Sequence, residues 1–533
     1  MPSVREATFD LFRAHGMTTI FGNPGSTELP MLADFPDDFT YVLGLQELAV
    51  VGMADGFAQA SGRPTHVNLH TAPGVGNAVG GIFNAQANKS PLVITAGQQV
   101  RPQIMIEANL TNRDPTVGPQ PYVKWAHEPP RAEDVPGALA RAILHASLPP
   151  RGPVFVSIPM DDWGAEADED RTVNATSRMV NGRSAPDPAA LAQLASAIES
   201  ARNPVLIAGP DIDTSGGWEH AVALAEKQRL PVWASPATGG SRLGFPENHP
   251  QFIGVLPPAI GAVSETLKGH DLVVVIGSSV FPYYPYLPGP LLPEGATLTA
   301  ITSDPGEAAR APMGDAIVGD VGFALAQLVE LVGESDRSAP DPRPAPGDPP
   351  DSEPMSGSEA MAALADVWPR DGIAVVETPS STLALRNRLR LSRPGSYYFG
   401  ASGGLGFGIS AAVGVQLAQP SRPVVCVLGE GSAQYGITAL WSAVAYKAPV
   451  TFLVLRNEEY MILKWFSMLE QVSGVPGLDL PALDTAAVAR AYGMQARDVE
   501  GREELTEALR EALAADDGPR LVQTRVASGM WLE

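Results

Sequence analysis

The chemistry of this chain is concentrated at the ends of two apolar runs. The first, Val424-Val-Cys-Val-Leu-Gly-Glu-Gly-Ser-Ala433, closes on a Gly-Glu-Gly turn, and the second, Thr451-Phe-Leu-Val-Leu-Arg-Asn-Glu-Glu-Tyr460, delivers a row of polar groups. A strand, a glycine turn, a crossover helix and a second strand read naturally from this spacing. Gly429 and Gly431 permit a tight turn whose N–H groups, with Ser432 at the helix start, can face a polyphosphate. Such a ligand carries more negative charge than a helix end neutralises, so a hard divalent cation held by oxygen ligands is expected beside it. Glu430 and Asn457 are the candidate ligands, both just past strand ends on one edge of a parallel sheet. An ordinary strand-to-helix turn has the same local pattern, and the rest of the chain must decide between the two.

Near the N-terminus, Thr18-Thr-Ile-Phe-Gly-Asn-Pro-Gly-Ser-Thr27 is another strand-to-turn segment, and Leu43-Gly-Leu-Gln-Glu-Leu-Ala-Val50 places Glu47 where a strand passes into a helix over 46–62. With Ala54-Asp-Gly-Phe-Ala-Gln-Ala-Ser61, Ala309-Arg-Ala-Pro-Met-Gly-Asp-Ala316 and Pro394-Gly-Ser-Tyr-Tyr-Phe399, these segments give a resemblance that runs over nearly the whole chain. The sequence resembles the thiamine diphosphate-dependent 2-keto acid decarboxylase superfamily, and within it most closely the benzoylformate decarboxylases. The resemblance implies three α/β domains. The first binds the cofactor's aminopyrimidine ring, the third binds its diphosphate with Mg²⁺, and the active site forms between them across a subunit interface. A homotetramer, built as a dimer of dimers, is the implied assembly.

Residue roles follow from the same resemblance. Glu47 matches the glutamate that hydrogen-bonds the pyrimidine ring, whose protonation lets the ring's imino nitrogen remove the thiazolium C2 proton. Leu405 matches the apolar residue that props the cofactor into a bent shape, and the Gly403 carbonyl accepts from its amino group. Gly25, Ser380 and Tyr460 complete the expected cofactor contacts. Ser26 and His70 match the polar residues flanking the substrate, one holding its carboxylate and the other relaying protons. The main-chain oxygen of Glu459 is the expected third metal ligand.

Three departures from the family pattern stand out. Glu430 replaces the usual aspartate, adding a methylene worth roughly 1.5 Å of reach. Mg²⁺ tolerates that displacement poorly, so the turn must retract, a water must adjust, or a larger ion such as Ca²⁺ or Mn²⁺ must be accepted. Tyr284, in Val280-Phe-Pro-Tyr-Tyr-Pro-Tyr286, stands where a second histidine is expected. A phenol with a pKa near 10 is a poor proton shuttle at neutral pH. The pocket set Asn109, Leu110, Ile462, Phe466 and Leu478 also differs, with a polar Asn109 and a bulky Ile462, while Phe466 and Leu478 keep an apolar wall suited to an aryl group.

The elements that must position these residues read as three blocks of alternating strands and helices, which predicts doubly wound parallel sheets. Residues 1–180 form the expected pyrimidine-binding domain, with strands at 65–70, 91–95 and 154–158 and helices at 46–62 and 76–88. Residues 181–340 form a middle domain, with strands at 204–207, 271–276 and 297–301. The stretch Gly333 to Pro350, across the boundary at 340, is proline-rich and acidic and reads as a linker. Residues 341–533 form the diphosphate- and metal-binding domain.

Length and composition agree with a large enzyme. At 533 residues the chain exceeds what one core organises. A formal charge of −23 disfavours nucleic acid and anionic membranes as partners. No apolar run is long enough to span a bilayer, and the N-terminal segment lacks a secretory pattern, so a cytoplasmic location is expected. The single Cys426, inside an apolar strand, reads as packing. The expected reaction is non-oxidative decarboxylation of an aromatic 2-keto acid to an aldehyde and CO₂, with carboligation as a side activity. The alternatives are an acetolactate-synthase-like carboligase and a cofactor-binding homologue with little turnover.

Overall fold

The structure, a computed structural model, describes residues 2–236 and 241–532. Three six-stranded sheets follow one another along the chain. The first contains β1 (Thr19–Gly22), β2 (Thr40–Leu43), β3 (Thr65–Leu69), β4 (Leu92–Gln98), β5 (Ala126–His127) and β6 (Val154–Pro159), in the order β2-β1-β3-β4-β6-β5. The middle sheet contains β7 (Pro204–Ala208), β8 (Val232–Ala234), β9 (Phe252–Val255), β10 (Leu272–Ile276), β11 (Thr297–Thr302) and β12 (Asp315–Val318), in the order β12-β11-β10-β7-β8-β9. The last is β13 (Ile373–Glu377), β14 (Tyr397–Phe399), β15 (Val424–Gly429), β16 (Val450–Arg456), β17 (Gln495–Val499) and β18 (Arg520–Arg525), in the order β14-β13-β15-β16-β18-β17. All described pairings inside these sheets are parallel, as the strand–helix alternation predicts. Central strands such as β10 and β15 are apolar runs because helices cover both faces.

The first and last sheets share one hydrophobic core. Its seam is the helix Glu47–Ser61 packed on the helix Phe407–Ala418. Glycines bring the two backbones into contact: a Cβ on Gly56 would lie 2.2 Å from the Ala411 carbonyl oxygen, and one on Gly414 would lie 1.8 Å from that of Met53. Polar contacts flank the seam. Ser442 Oγ donates to the Leu43 carbonyl (2.9 Å), and Tyr446 Oη donates to that of Tyr41 (2.9 Å). The middle sheet keeps its own core and is pinned to its neighbours by buried ion pairs, Lys89–Asp211 at 2.7 Å and Arg386–Glu247 at 2.7 Å.

Two expectations about local structure change. The helix expected over 76–88 begins at Thr71, because Pro73 lies in the first turn, where a missing N–H costs nothing. The segment 333–350 forms no helix or strand, but it is a strap tied down along its length. Arg337 donates to the carbonyls of Glu199 (3.0 Å), Ala201 (3.0 Å) and Gln228 (3.1 Å), and Arg343 donates to that of Glu247 (3.2 Å). The expected helix over 46–62 spans Glu47–Ser61, with the Gln46 side chain capping its first turn and Gly62 closing it at φ +68°.

His66, on β3, is fully buried against the Phe12 ring (4.7 Å) with Nε2 2.9 Å from Thr95 Oγ1 and no partner at Nδ1. Burial lowers its pKa from 6.5 to about 3. Between those values the unfolded chain binds a proton that the fold excludes, so stability falls as pH drops through that window. Thermal melting followed from pH 7 to pH 4 is expected to show this loss, and His66→Phe is expected to make the slope shallower. An unchanged slope in the variant would remove His66 from the account.

Candidate active site

Two half-sites lie at the carboxyl edges of the first and last sheets, where open α/β sheets place their ligands. In the first, Glu47 opens its helix, where the helix dipole favours a carboxylate. It is 7 % exposed. Asn23 Nδ2 donates to its Oε1 at 3.0 Å and Asn77 Nδ2 to its Oε2 at 2.9 Å. His70 caps the neighbouring helix Thr71–Ala87 from the end of β3. Gly74 joins the two groups: a Cβ there would sit 3.5 Å from both Glu47 Cγ and His70 Cβ. Gly25 lies flat against the imidazole, since its Cβ would fall 2.1 Å from His70 Nδ1. Ser26 is exposed, and the groups that touch the ring are its neighbours Thr27, with Oγ1 3.2 Å from Nδ1, and Glu28, with Oε2 2.9 Å from Nδ1.

The second half-site is a cleft at the ends of the paired strands β15 and β16. Ser380, Leu405, Gly429, Glu430, Gly431, Ser432, Asn457, Glu459, Tyr460 and Ile462 all line it, so most of the expected cofactor and metal residues meet here. The glycines act differently from the expected turn. Gly429 has an ordinary extended backbone (φ −81°), where a Cβ would meet the Leu455 carbonyl oxygen and Ser432 Oγ only at an ordinary 4.0 Å, and Gly431 lies inside the helix Glu430–Gly436. Gly431 is needed because a Cβ would meet Tyr460 Cε1 at 2.6 Å and Leu480 Cδ1 at 2.8 Å. The cleft floor is therefore kept open by close packing. Gly403 has the left-handed backbone (φ +76°) that favours glycine.

The extra methylene of Glu430 carries its carboxylate to the end of β16. There Oε1 accepts from the amides of Asn457 (3.0 Å) and Glu458 (2.5 Å). Burial pushes its pKa up, and these amides oppose the rise. The Glu459 carboxylate is taken by Lys464 Nζ and Ser528 Oγ, which leaves its main-chain oxygen as the group available at the cleft. One carboxylate, the Asn457 amide and a main-chain carbonyl form a set of hard oxygen donors suited to Mg²⁺ or Ca²⁺. Among the described residues no cluster of three His, Cys, Asp or Glu side chains forms a separate metal cage. The helix N-terminus starting at Glu430 adds amides for a diphosphate.

The Tyr284 ring lies 5.1 Å from that of Phe466, so the tyrosine in the histidine's expected place packs on an aromatic side chain of the helix Met461–Leu469. The Leu478 carbonyl accepts from the Tyr460 amide at 2.8 Å. Asn109 and Leu110 are exposed on a loop of the first unit, and none of the described residues lining the cleft comes from positions 1–180. One chain thus holds two separate halves. The helix Met461–Leu469 beside the cleft has no buried residue despite its apolar sequence, and Met105 and Ile106, past the end of β4, are 88 % and 75 % exposed.

Sequence reasoning did not single out Asn23, Thr27, Glu28 or Asn77. The usable signal was a polar run after β1, Asn23-Pro-Gly-Ser-Thr-Glu28, and an asparagine two helical turns past His70. Among the described residues no helix is long and apolar enough to cross a membrane.

Comparison with known proteins agrees with the three-sheet fold. Residues 2–114, 191–328 and 379–524 match the family models of the N-terminal TPP binding, central and C-terminal TPP binding domains of thiamine pyrophosphate enzymes. The chain is 52 % identical over 518 residues, 97 % of each chain, to benzoylformate decarboxylase of Pseudomonas aeruginosa. Among solved structures, the thiamine diphosphate-dependent 4-hydroxybenzoylformate decarboxylase of Rhodococcus jostii RHA1 superposes with a TM-score of 0.97 at 46 % identity, covering 99 % of this chain and all of that one. The benzoylformate decarboxylase of Polynucleobacter necessarius superposes with a TM-score of 0.96 at 41 % identity, covering all of both chains.

Proposed function

Because the chain belongs to the thiamine pyrophosphate enzyme family, we propose that it is a carboxy-lyase that converts an aromatic 2-keto acid, benzoylformate or a ring-substituted analogue, to the aldehyde and CO₂. The observation that carries this reading is the 52 % identity, over 97 % of the chain, to a benzoylformate decarboxylase, on a chain that has both polar half-sites. What thiamine diphosphate supplies when bound is a nucleophilic carbon and a sink for the electron pair left by departing CO₂. This chain's residues do the rest. Glu47, held by Asn23 and Asn77, keeps a proton in place on the pyrimidine ring. Gly431, Ser432 and the helix start would hold the diphosphate, and Glu430, Asn457 and the Glu459 carbonyl would hold its Mg²⁺. Leu405 would shape the cofactor, the Gly403 carbonyl would accept from its amino group, and Gly25, Ser380 and Tyr460 would flank it. Ser26 holds the substrate carboxylate and His70 moves protons. Phe466, Ile462, Leu478, Asn109 and Leu110 enclose the aryl group, and an apolar wall favours loss of charge as CO₂.

The reading includes a second copy of the chain. Each half-site requires the other, and the bare helix Met461–Leu469 with the exposed Met105 and Ile106 offers apolar surface for a partner to cover. We place residues 1–180, 181–340 and 341–533 in the pyrimidine, middle and diphosphate roles, in a cytoplasmic homotetramer. The test is CO₂ release by protein loaded with thiamine diphosphate and Mg²⁺, offered benzoylformate and 4-hydroxybenzoylformate. Turnover of either is expected, and silence toward all aryl and branched 2-keto acids would sink the reading. Tyr284 favours carboligation as a second activity, since a phenol is a poor donor of the proton that releases aldehyde. Added acceptor aldehyde is then expected to divert product to an acyloin.

A further inference from the structure

We infer that Glu28 is a positioning residue for His70, and that the two form a dyad which fixes the imidazole with its hydrogen on Nδ1 and leaves Nε2 to carry the proton traffic of the site. This rests on the decarboxylase reading above. Glu28 is 1 % exposed, deeper than His70 itself. Its Oε1 accepts from the Gly97 amide (2.9 Å) and Thr27 Oγ1 (2.7 Å), and its Oε2 accepts from the Gly25 amide (2.8 Å). His70 Nδ1, at 2.9 Å from Oε2, is the fourth partner.

The tautomer follows from counting donors. An ionised carboxylate only accepts, so the hydrogen between Glu28 and His70 sits on Nδ1. Thr27 Oγ1 is also 3.2 Å from Nδ1, but its own hydrogen is committed to Glu28, so it too offers Nδ1 a lone pair. Both polar neighbours of Nδ1 are therefore acceptors. Gly25 closes the ring's other side, since any Cβ there would fall 2.1 Å from Nδ1. A ring so held cannot turn, and its Nε2 can accept a proton while the carboxylate stabilises the cation that results. His66, four residues earlier and on β3, is the contrast, with an orphaned Nδ1 and no carboxylate.

The dyad matters more here than where a second imidazole is present, because Tyr284 fills that place. His70 then both takes up a proton and returns one to the carbon that has lost CO₂. The balance is one proton consumed from solvent per 2-keto acid converted to aldehyde and CO₂, with the ring neutral again at the end of each turnover.

The first test leaves Glu28 unchanged. Holoenzyme labelled with ¹⁵N-histidine and sedimented for solid-state NMR, with the His70 signals assigned by their loss in His70→Asn, is expected to show neutral His70 protonated on Nδ1 and bare on Nε2. The opposite tautomer overturns the inference. In steady-state kinetics, Glu28→Gln is expected to lower kcat about a hundredfold with KM changed less than about threefold, and Glu28→Asp to recover about tenfold of that loss. A purely structural Glu28 would instead give losses that track melting temperature, with no rescue by Asp. If the wild-type holoenzyme releases no CO₂, the decarboxylase reading fails, whereas the tautomer is still decided by the spectrum.

Discussion

Glu47→Gln is expected to fold and bind thiamine diphosphate and yet decarboxylate about a thousandfold more slowly than the wild type. The carboxylate is nearly buried, and both of its oxygens are engaged by asparagine amides, at 3.0 Å and 2.9 Å. Glutamine has the same shape, and either asparagine can turn its amide to match, so the local packing survives. What glutamine cannot do is hold a transferable proton against the pyrimidine ring, a function of positioned acids worth about 10²–10⁴-fold in rate. On the proposed reading the cofactor's diphosphate would be held by the other half-site, and its binding is expected to be almost unchanged. The measurements are kcat on benzoylformate and a calorimetric Kd for the cofactor with Mg²⁺. A variant that keeps more than a tenth of wild-type kcat would remove Glu47 from the proton-holding role.

Gly414→Ala is expected to have the largest effect on the fold. Its Cβ would lie 1.8 Å from the Met53 carbonyl oxygen and 2.8 Å from the Phe57 amide nitrogen, both backbone atoms of the facing helix. No side chain can move aside to relieve this. The helices must separate, and the core shared by the first and last sheets opens with them. A loss of at least about 3 kcal/mol is expected, since overpacking at a backbone contact exceeds the usual cost of an added methylene. Thermal melting against Gly76→Ala makes the comparison, because Gly76 is also helical but has open space at its Cβ. The Gly76 variant is expected to melt at or slightly above the wild type, as alanine is the better helix former. Equal melting of the two variants would refute the backbone contact.

These cases show where the sequence was legible. The parallel α/β architecture was readable because central strands such as β10 and β15 are uninterrupted apolar runs separated by helical patterns. Glu430 and Asn457 could be paired in advance because β15 and β16 are consecutive in the chain and adjacent in the sheet. Glu28 could not, since its partners His70 and Gly97 lie 42 and 69 residues away and a buried carboxylate leaves no periodic trace. The glycines were visible as residues and opaque as reasons. Gly431 reads as a turn former until Tyr460 is seen against it, and Gly414 reads as a weak helix position until Met53 is. The start of the helix at Thr71 was hidden by Pro73 and Gly74, which read as breakers. The first is tolerated in an opening turn, and the second is the gap between Glu47 and His70.

The strap over 333–350 works as a ruler. Arg337 grips carbonyls of the middle unit at one end, Arg343 grips the Glu247 carbonyl farther on, and Arg388 and Arg390 reach back to the carbonyls of Gly347 and Pro344. Chain passing between two such stitches has a fixed contour. An ordinary surface loop absorbs an added residue at small entropic cost, but here each insertion would slide an arginine off its carbonyls. The stretch whose composition looks most permissive is thus the one whose length is least free to vary.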